Sequence, residues 1–138
     1  MLTSTTEVLV RFSEADAMGV VWHGNYLRYF EDGREAFGRT YNMTYLDVFN
    51  FGFLTPIVKI HCNYKRSLNY GDTAIIETTY VDHDAAKLHF KYTIYRKGNN
   101  EIVATGESEQ VFLNEKKELH LTLPDFFRKW KKKWGLLP

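Results

Sequence analysis

The strongest constraint on the fold of this chain is a change of period along it. Beyond Asn25, Tyr26, Tyr29, Phe30, Gly33 and Phe37 recur at i, i+3, i+4, i+7 and i+11, while Arg28, Asp32, Glu35 and Arg39 fall elsewhere on the wheel. That spacing lays a single apolar stripe along a helix. Asn25 stands where an N-cap belongs, and Glu35 precedes Arg39 in the favourable i, i+4 orientation. Such a helix of about fifteen residues spans about 22 Å. Gly33 inside the stripe costs about 1 kcal/mol of helix propensity, so its presence predicts the close approach of a sheet.

From Thr55 the period becomes two. Val58, Ile60, Cys62 and Tyr64 alternate with Lys59, His61, Asn63 and Lys65, as in a half-buried strand. Residues 6–12 form a short β-rich run, and residues 73–82 form another after the turn at Tyr70-Gly71-Asp72. Residues 87–96 set Leu88, Phe90, Tyr92 and Ile94 on one face, and Lys97-Gly98-Asn99-Asn100 turns into a run at 101–113. Short turns between successive strands imply antiparallel pairing. The order is one strand, a helix, four strands and a C-terminal helix near Pro124. It predicts an α+β fold in which an antiparallel sheet packs on that one long apolar helix. Neither repeat nor Pro/Gly/Ser linker interrupts the 138 residues, so residues 1–138 are expected to form one domain.

Charge and cysteine usage narrow the function. The net charge of +1 gives no global attraction to nucleic acid or to anionic membranes. With one cysteine, Cys62, the chain can form neither an internal disulfide nor a cysteine-based metal cluster, and a reducing, cytoplasmic setting is expected. Cys62 lies on the apolar alternation of its strand and reads as a buried structural thiol. The start MLTSTTEVLV lacks the pattern of a leader, and no apolar run approaches the length of a membrane span. His61, His83, His89 and His120 lack metal-site spacing, so no metal is expected. The run Phe126–Trp134 is amphipathic, with Phe127, Trp130 and Trp134 on one face. It is read as a terminal helix packing its aromatics on the sheet and leaving its lysines solvated.

The segment that carries chemistry is Arg11–Tyr26, RFSEADAMGVVWHGNY. It sets Glu14 and Asp16 shortly before a helix start. The first N–H groups of a helix lack intrahelical acceptors and sit at its positive end, so they can stabilise a developing oxyanion. A nearby carboxylate can attack a carbonyl or deprotonate a water. These are the parts needed to hydrolyse an acyl bond. By spacing alone, an Asp before a helix also serves as a cap or turn residue.

The run resembles the pattern of the 4-hydroxybenzoyl-CoA thioesterase family through Arg11, Phe12, Glu14, Asp16, Gly19, Val20, Val21, Trp22, His23, Asn25 and Tyr26. Tyr29, Phe30, Glu31 and Arg34 continue the match, and Tyr64 with Tyr70-Gly71-Asp72 extends it. The chain departs from the pattern at Ala15, where a small hydroxyl residue is common, and at Ser67, where many members carry proline. The resemblance implies a hot-dog fold and cofactor-free hydrolysis of an acyl-CoA thioester. It implies that Asp16 is the nucleophile or general base and that backbone N–H groups near His23 and Gly24 receive the oxyanion. The side chain of His23 either orients substrate or water or packs beside Trp22. Glu14 is expected to pair with Arg11 or another nearby base, and Glu31 with Arg34. The resemblance further implies coenzyme A phosphate contacts from Lys65, Arg66 and Lys87 and a homodimer or dimer of dimers sharing its active sites. An acyl-carrier-protein substrate and a non-catalytic acyl-CoA-binding module are the alternatives.

Overall fold

The structure is a computed structural model that describes residues 1–138. The strands are β1 (Thr3–Leu9), β2 (Ile57–Tyr64), β3 (Thr73–Val81), β4 (Lys87–Arg96) and β5 (Glu101–Val111); the helices are α1 (Asn25–Tyr41), α2 (Tyr45–Asn50) and α3 (Asp125–Lys133). A single 3₁₀ turn covers Phe12–Glu14. All strand pairs are antiparallel, and the order across the sheet is β1-β3-β4-β5-β2. Leu9 pairs with Thr73, Ala74 with Arg96, Arg96 with Glu101, and Tyr64 with Ala104. One end of the sheet therefore gathers the end of β1, the start of β3, the end of β4, the start of β5 and the end of β2. The Arg11–Gly24 connection leaves from that end.

The apolar stripe of α1 is buried throughout: Tyr26, Tyr29, Phe30, Gly33 and Phe37 all face the core. Two glycines let the helix lie this close. A Cβ on Gly33 would sit 2.3 Å from Thr78 Oγ1 and 2.8 Å from Ile76 Cγ2 on β3, and one on Gly106 of β5 would sit 2.5 Å from the Phe30 ring. Phe30 stacks on Tyr92 of β4 with centroids 4.4 Å apart, and Phe37 meets Phe90 edge-on at 5.0 Å. On β4 the expected face, Leu88, Phe90, Tyr92 and Ile94, is buried.

Several local readings need correction. Gly24, not Asn25, is the N-cap of α1. Asn25 is the first helical residue, buried, and its side-chain amide donates to the Glu14 carbonyl at 3.0 Å. β1 ends at Leu9, because the chain turns into the 3₁₀ segment. α2 was not anticipated, although Thr44 and Asp47 form a reciprocal capping box at its start. β2 is an edge strand on which Ile60 and Cys62 are half-buried and Val58 and Tyr64 exposed. Cys62 is thus less enclosed than its alternation suggests.

α3 packs its aromatic face inward, with Phe127 and Trp130 buried. The indoles of Trp130 and Trp134 both donate to the carbonyl of Tyr41, at 2.6 and 3.1 Å, which ties α3 to the last turn of α1. Lys131, expected in solvent, is only 1% exposed and bonds Asp82 Oδ1 at 2.9 Å and the His83 carbonyl. A buried ammonium needs such partners. No helix is long and apolar enough to cross a membrane.

Gly33→Leu forces a branched side chain into Thr78 and Ile76. The expected loss is about 3 kcal/mol of unfolding free energy in urea titrations. An unchanged midpoint would show that the helix does not need this contact.

Candidate active site

The Arg11–Gly24 connection is held as a small hairpin. At its base the 3₁₀ turn is closed by Glu14, whose Oε1 accepts the Arg11 N–H at 2.8 Å and the Tyr29 hydroxyl at 3.0 Å. Glu14 therefore takes a backbone amide and a phenol, and pairs with no base. Burial first, and then the Glu14 carboxylate, push the Tyr29 phenol above its ordinary pKa and keep it a donor. Beyond the turn, Asp16 N–H donates to Val20 O at 2.8 Å and Trp22 N–H to Glu14 O at 2.9 Å. Gly19 makes the bend at φ +79°, in the left-handed region that glycine favours. The returning arm is stitched to the 68–70 segment by Val21 N–H to Leu68 O at 2.8 Å and Tyr70 N–H to Gly19 O at 3.3 Å.

Asp16 is exposed, and its Oδ1 accepts the Met18 N–H at 2.8 Å. Its Oδ2 has no partner in the chain, and no cation pairs with it. The two carboxylates of the motif differ in what holds them: half-buried Glu14 takes a backbone amide and the distant Tyr29 phenol on one oxygen, exposed Asp16 takes one amide of its own turn, and each keeps its second oxygen without a partner in the chain.

The hairpin leads straight into α1. Trp22 O accepts Asn25 N–H at 2.9 Å, and His23 O accepts Tyr26 N–H at 3.3 Å and the Tyr64 hydroxyl at 2.9 Å. The N–H groups of His23 and Gly24 have no acceptor in the chain, and no side chain caps the helix. They stand at the positive end of a 17-residue helix. The Trp22 ring folds over Gly24 so closely that a Cβ there would lie 2.1 Å from Trp22 Cζ3. The exposed His23 ring lies 4.9 Å from Trp22 and 6.3 Å from Tyr64, between centroids, and makes no hydrogen bond.

Of the cations expected at a coenzyme site, two lie at this end of the sheet. Lys65 and Arg66 follow β2, both donating their N–H to Val103 O, at 2.9 and 3.1 Å. The Lys65 side chain is exposed and unpaired, while Arg66 Nε is 3.4 Å from Glu101 Oε1. Lys87 is not brought there. It opens β4 at the opposite end of the sheet, about 30 Å away along ten strand residues, and pairs with Glu109 at 2.6 Å. Glu31 and Arg34 do not pair either. Arg34 Nη1 donates to the Tyr92 hydroxyl at 3.0 Å, beside a groove of about 710 Å³ between α1, α2 and the sheet. No three His, Cys, Asp or Glu side chains gather as a group that could hold a metal ion.

Arg96, which sequence alone does not single out, and Tyr64, marked there only as a position of the resemblance, hold the site from outside the Arg11–Tyr26 run. Arg96 grips Asp72 and the Ser67 carbonyl and so holds the 67–72 turn against which the hairpin is stitched. Tyr64 reaches His23 across 41 residues of sequence. Alternation marks Tyr64 as facing the helix side of its strand, but nothing in the spacing shows where its hydroxyl ends.

The family model described as the thioesterase-like superfamily matches residues 10–131. A Bacillus subtilis (strain 168) protein named "Putative acyl-CoA thioesterase YneP" is 40% identical over 95 residues, 69% of this chain and 69% of its own length. The acyl-CoA thioesterase YbgC of Haemophilus influenzae is 30% identical over 90 residues, 64% of this chain and 66% of its own. The solved structure of a DHNA-CoA thioesterase from Staphylococcus aureus superposes with a TM-score of 0.87 at 28% identity, covering 98% of this chain and 90% of that one. The fold is the hot-dog thioesterase fold. The chain belongs to the thioesterase-like superfamily.

Gly24→Ala places a methyl inside the Trp22 ring. The ring is half-exposed and can swing out, so we expect a red-shifted tryptophan emission with a stability change of about 1 kcal/mol or less. Unaltered emission would show that the ring does not rest on Gly24.

Proposed function

We propose that this thioester hydrolase acts on an acyl-CoA, releasing a carboxylic acid and coenzyme A with Asp16 as the catalytic carboxylate. The observation that carries the reading is the pairing of a carboxylate with a free oxygen and a helix start with two acceptor-free amides on one hydrogen-bonded hairpin. The amides of His23 and Gly24 receive the thioester oxygen as negative charge develops on it. Asp16 then acts in one of two ways. It attacks the carbonyl to expel the thiolate and form an anhydride that water opens, or it takes a proton from a water that attacks directly. Either route consumes one water and yields one acid and one thiol. The names borne by the Bacillus subtilis and Staphylococcus aureus relatives support an acyl-CoA substrate. The match of Arg11–Tyr26 and Tyr29–Arg34 to its pattern supports a place near the 4-hydroxybenzoyl-CoA thioesterases.

Lys65 and Arg66 are the cations assigned to the coenzyme phosphates, whereas Lys87 has no place in a site built from one chain. Residues 1–138 act as one domain, in the cytoplasm. The open edge of β2, with Val58 59% and Ile57 37% exposed, supports pairing with a second copy, because an unpaired apolar edge otherwise invites nonspecific association.

A thiol-release assay over short, long and aromatic acyl-CoA and acyl-carrier substrates tests the reading. Asp16→Asn is expected to lower turnover about 10³-fold with an unchanged unfolding midpoint, and near-normal hydrolysis would remove Asp16 from the chemistry. Light scattering at assay concentration is expected to give at least the mass of two chains. A monomer that hydrolyses at full rate would rule out a shared site.

A further inference from the structure

Each acceptor-free amide is one end of a peptide group whose other end is the preceding carbonyl. The His23 N–H shares its peptide with Trp22 O, and that oxygen is held by Asn25 N–H at 2.9 Å, a bond made within the helix start itself. The Gly24 N–H shares its peptide with His23 O. Locally that oxygen receives only Tyr26 N–H, at a longer 3.3 Å; its shorter partner is the Tyr64 hydroxyl at 2.9 Å, from the last residue of β2. The peptide ends on glycine, the residue with the greatest freedom to rotate it.

We infer that Tyr64 is a positioning residue for the reaction: its hydroxyl, donated to the His23 carbonyl, fixes the plane of the His23–Gly24 peptide and strengthens the Gly24 N–H as an oxyanion donor. The inference rests on the thioesterase reading given above. Hydrogen bonds in a chain polarise one another, so a donor on the carbonyl oxygen makes the amide proton at the far end more positive. The direction of the phenol is set by packing. Its ring meets Tyr26 at 5.1 Å and 84° and His23 at 6.3 Å and 88°, edge to face in both cases. Burial, and then Cys62 two residues earlier on the same face, raise the pKa of the phenol, which therefore remains a donor through the neutral range. The proton stays on Tyr64, whose part is to orient and polarise the peptide.

Tyr64→Phe keeps the ring and removes the donor. In the full-length protein it is expected to lower kcat about tenfold, less than the loss of a whole oxyanion donor, with KM and the melting temperature little changed. Two inert analogues separate positioning from packing. A trifluoromethyl ketone analogue of acyl-CoA, which presents an oxyanion in the site, is expected to bind about tenfold more weakly to Tyr64→Phe. A thioether analogue lacking the carbonyl is expected to bind both proteins equally. Wild-type kcat, equal weakening of both analogues, or loss of the fold in Tyr64→Phe would each overturn the inference and leave Tyr64 a strand-to-helix tie. Wild type and Asp16→Asn are run alongside. If wild type releases no thiol, or Asp16→Asn matches it, the thioesterase reading falls. If those controls behave and Tyr64→Phe equals wild type, only the role of Tyr64 falls.

Discussion

The structure depends on how closely α1 can approach the sheet. Gly33 on the helix and Gly106 on β5 each remove a side chain where the other surface already occupies the space, one against Thr78 and Ile76 and the other against the Phe30 ring. The helix is thereby seated at a fixed depth. Its start then lies where Tyr26 can accept from Leu68 N–H, Tyr29 can reach Glu14 and Tyr64 can reach His23. Raising the helix by one methyl would lengthen all three together.

Both ends of α1 are held by polar atoms from distant parts of the chain. Two indoles of the α3 segment converge on the carbonyl of Tyr41, and the phenol of Tyr64 takes the carbonyl of His23 at the start. The groups left without partners are therefore few. Among helix-start amides, those of His23, Gly24 and Leu27 stay open, and the energetic penalty of leaving donors unsatisfied is small while water can reach them. A ligand oxygen that replaces that water meets donors already in place and needs little reorganisation. The two motif carboxylates differ in exposure and in anchoring: Glu14 is half-buried and tied to α1 through Tyr29, while Asp16 is exposed and bonded only within its own turn.

β2 has two tasks that pull its composition in different directions. Its last residue carries the phenol that reaches the helix start, while its first residues, Ile57 and Val58, present apolar surface at the sheet edge. An edge strand with this surface is of the kind that folded sheets cover or pair rather than leave open to water.

Much of the fold was legible because periodicity reports which face of an element is apolar. The stripe Tyr26 to Phe37, the buried face of β4, the antiparallel order and the need for Gly33 to meet a sheet follow from spacing alone. Spacing alone does less for Asp16, since an Asp before a helix also serves as a cap or turn residue, and it is the resemblance of the Arg11–Tyr26 run to a family pattern that singles it out. Tertiary structure decided what each polar atom bonds to. Spacing does not say that Glu14 takes Tyr29, that Arg34 turns from Glu31 to Tyr92, that Lys131 is buried against Asp82, or that Lys87 stands at the wrong end of β4. The physical reason is that apolar burial is a property of one element and its period. A hydrogen bond depends on the reach of a side chain into a neighbour distant in sequence, 41 residues away for Tyr64 and His23.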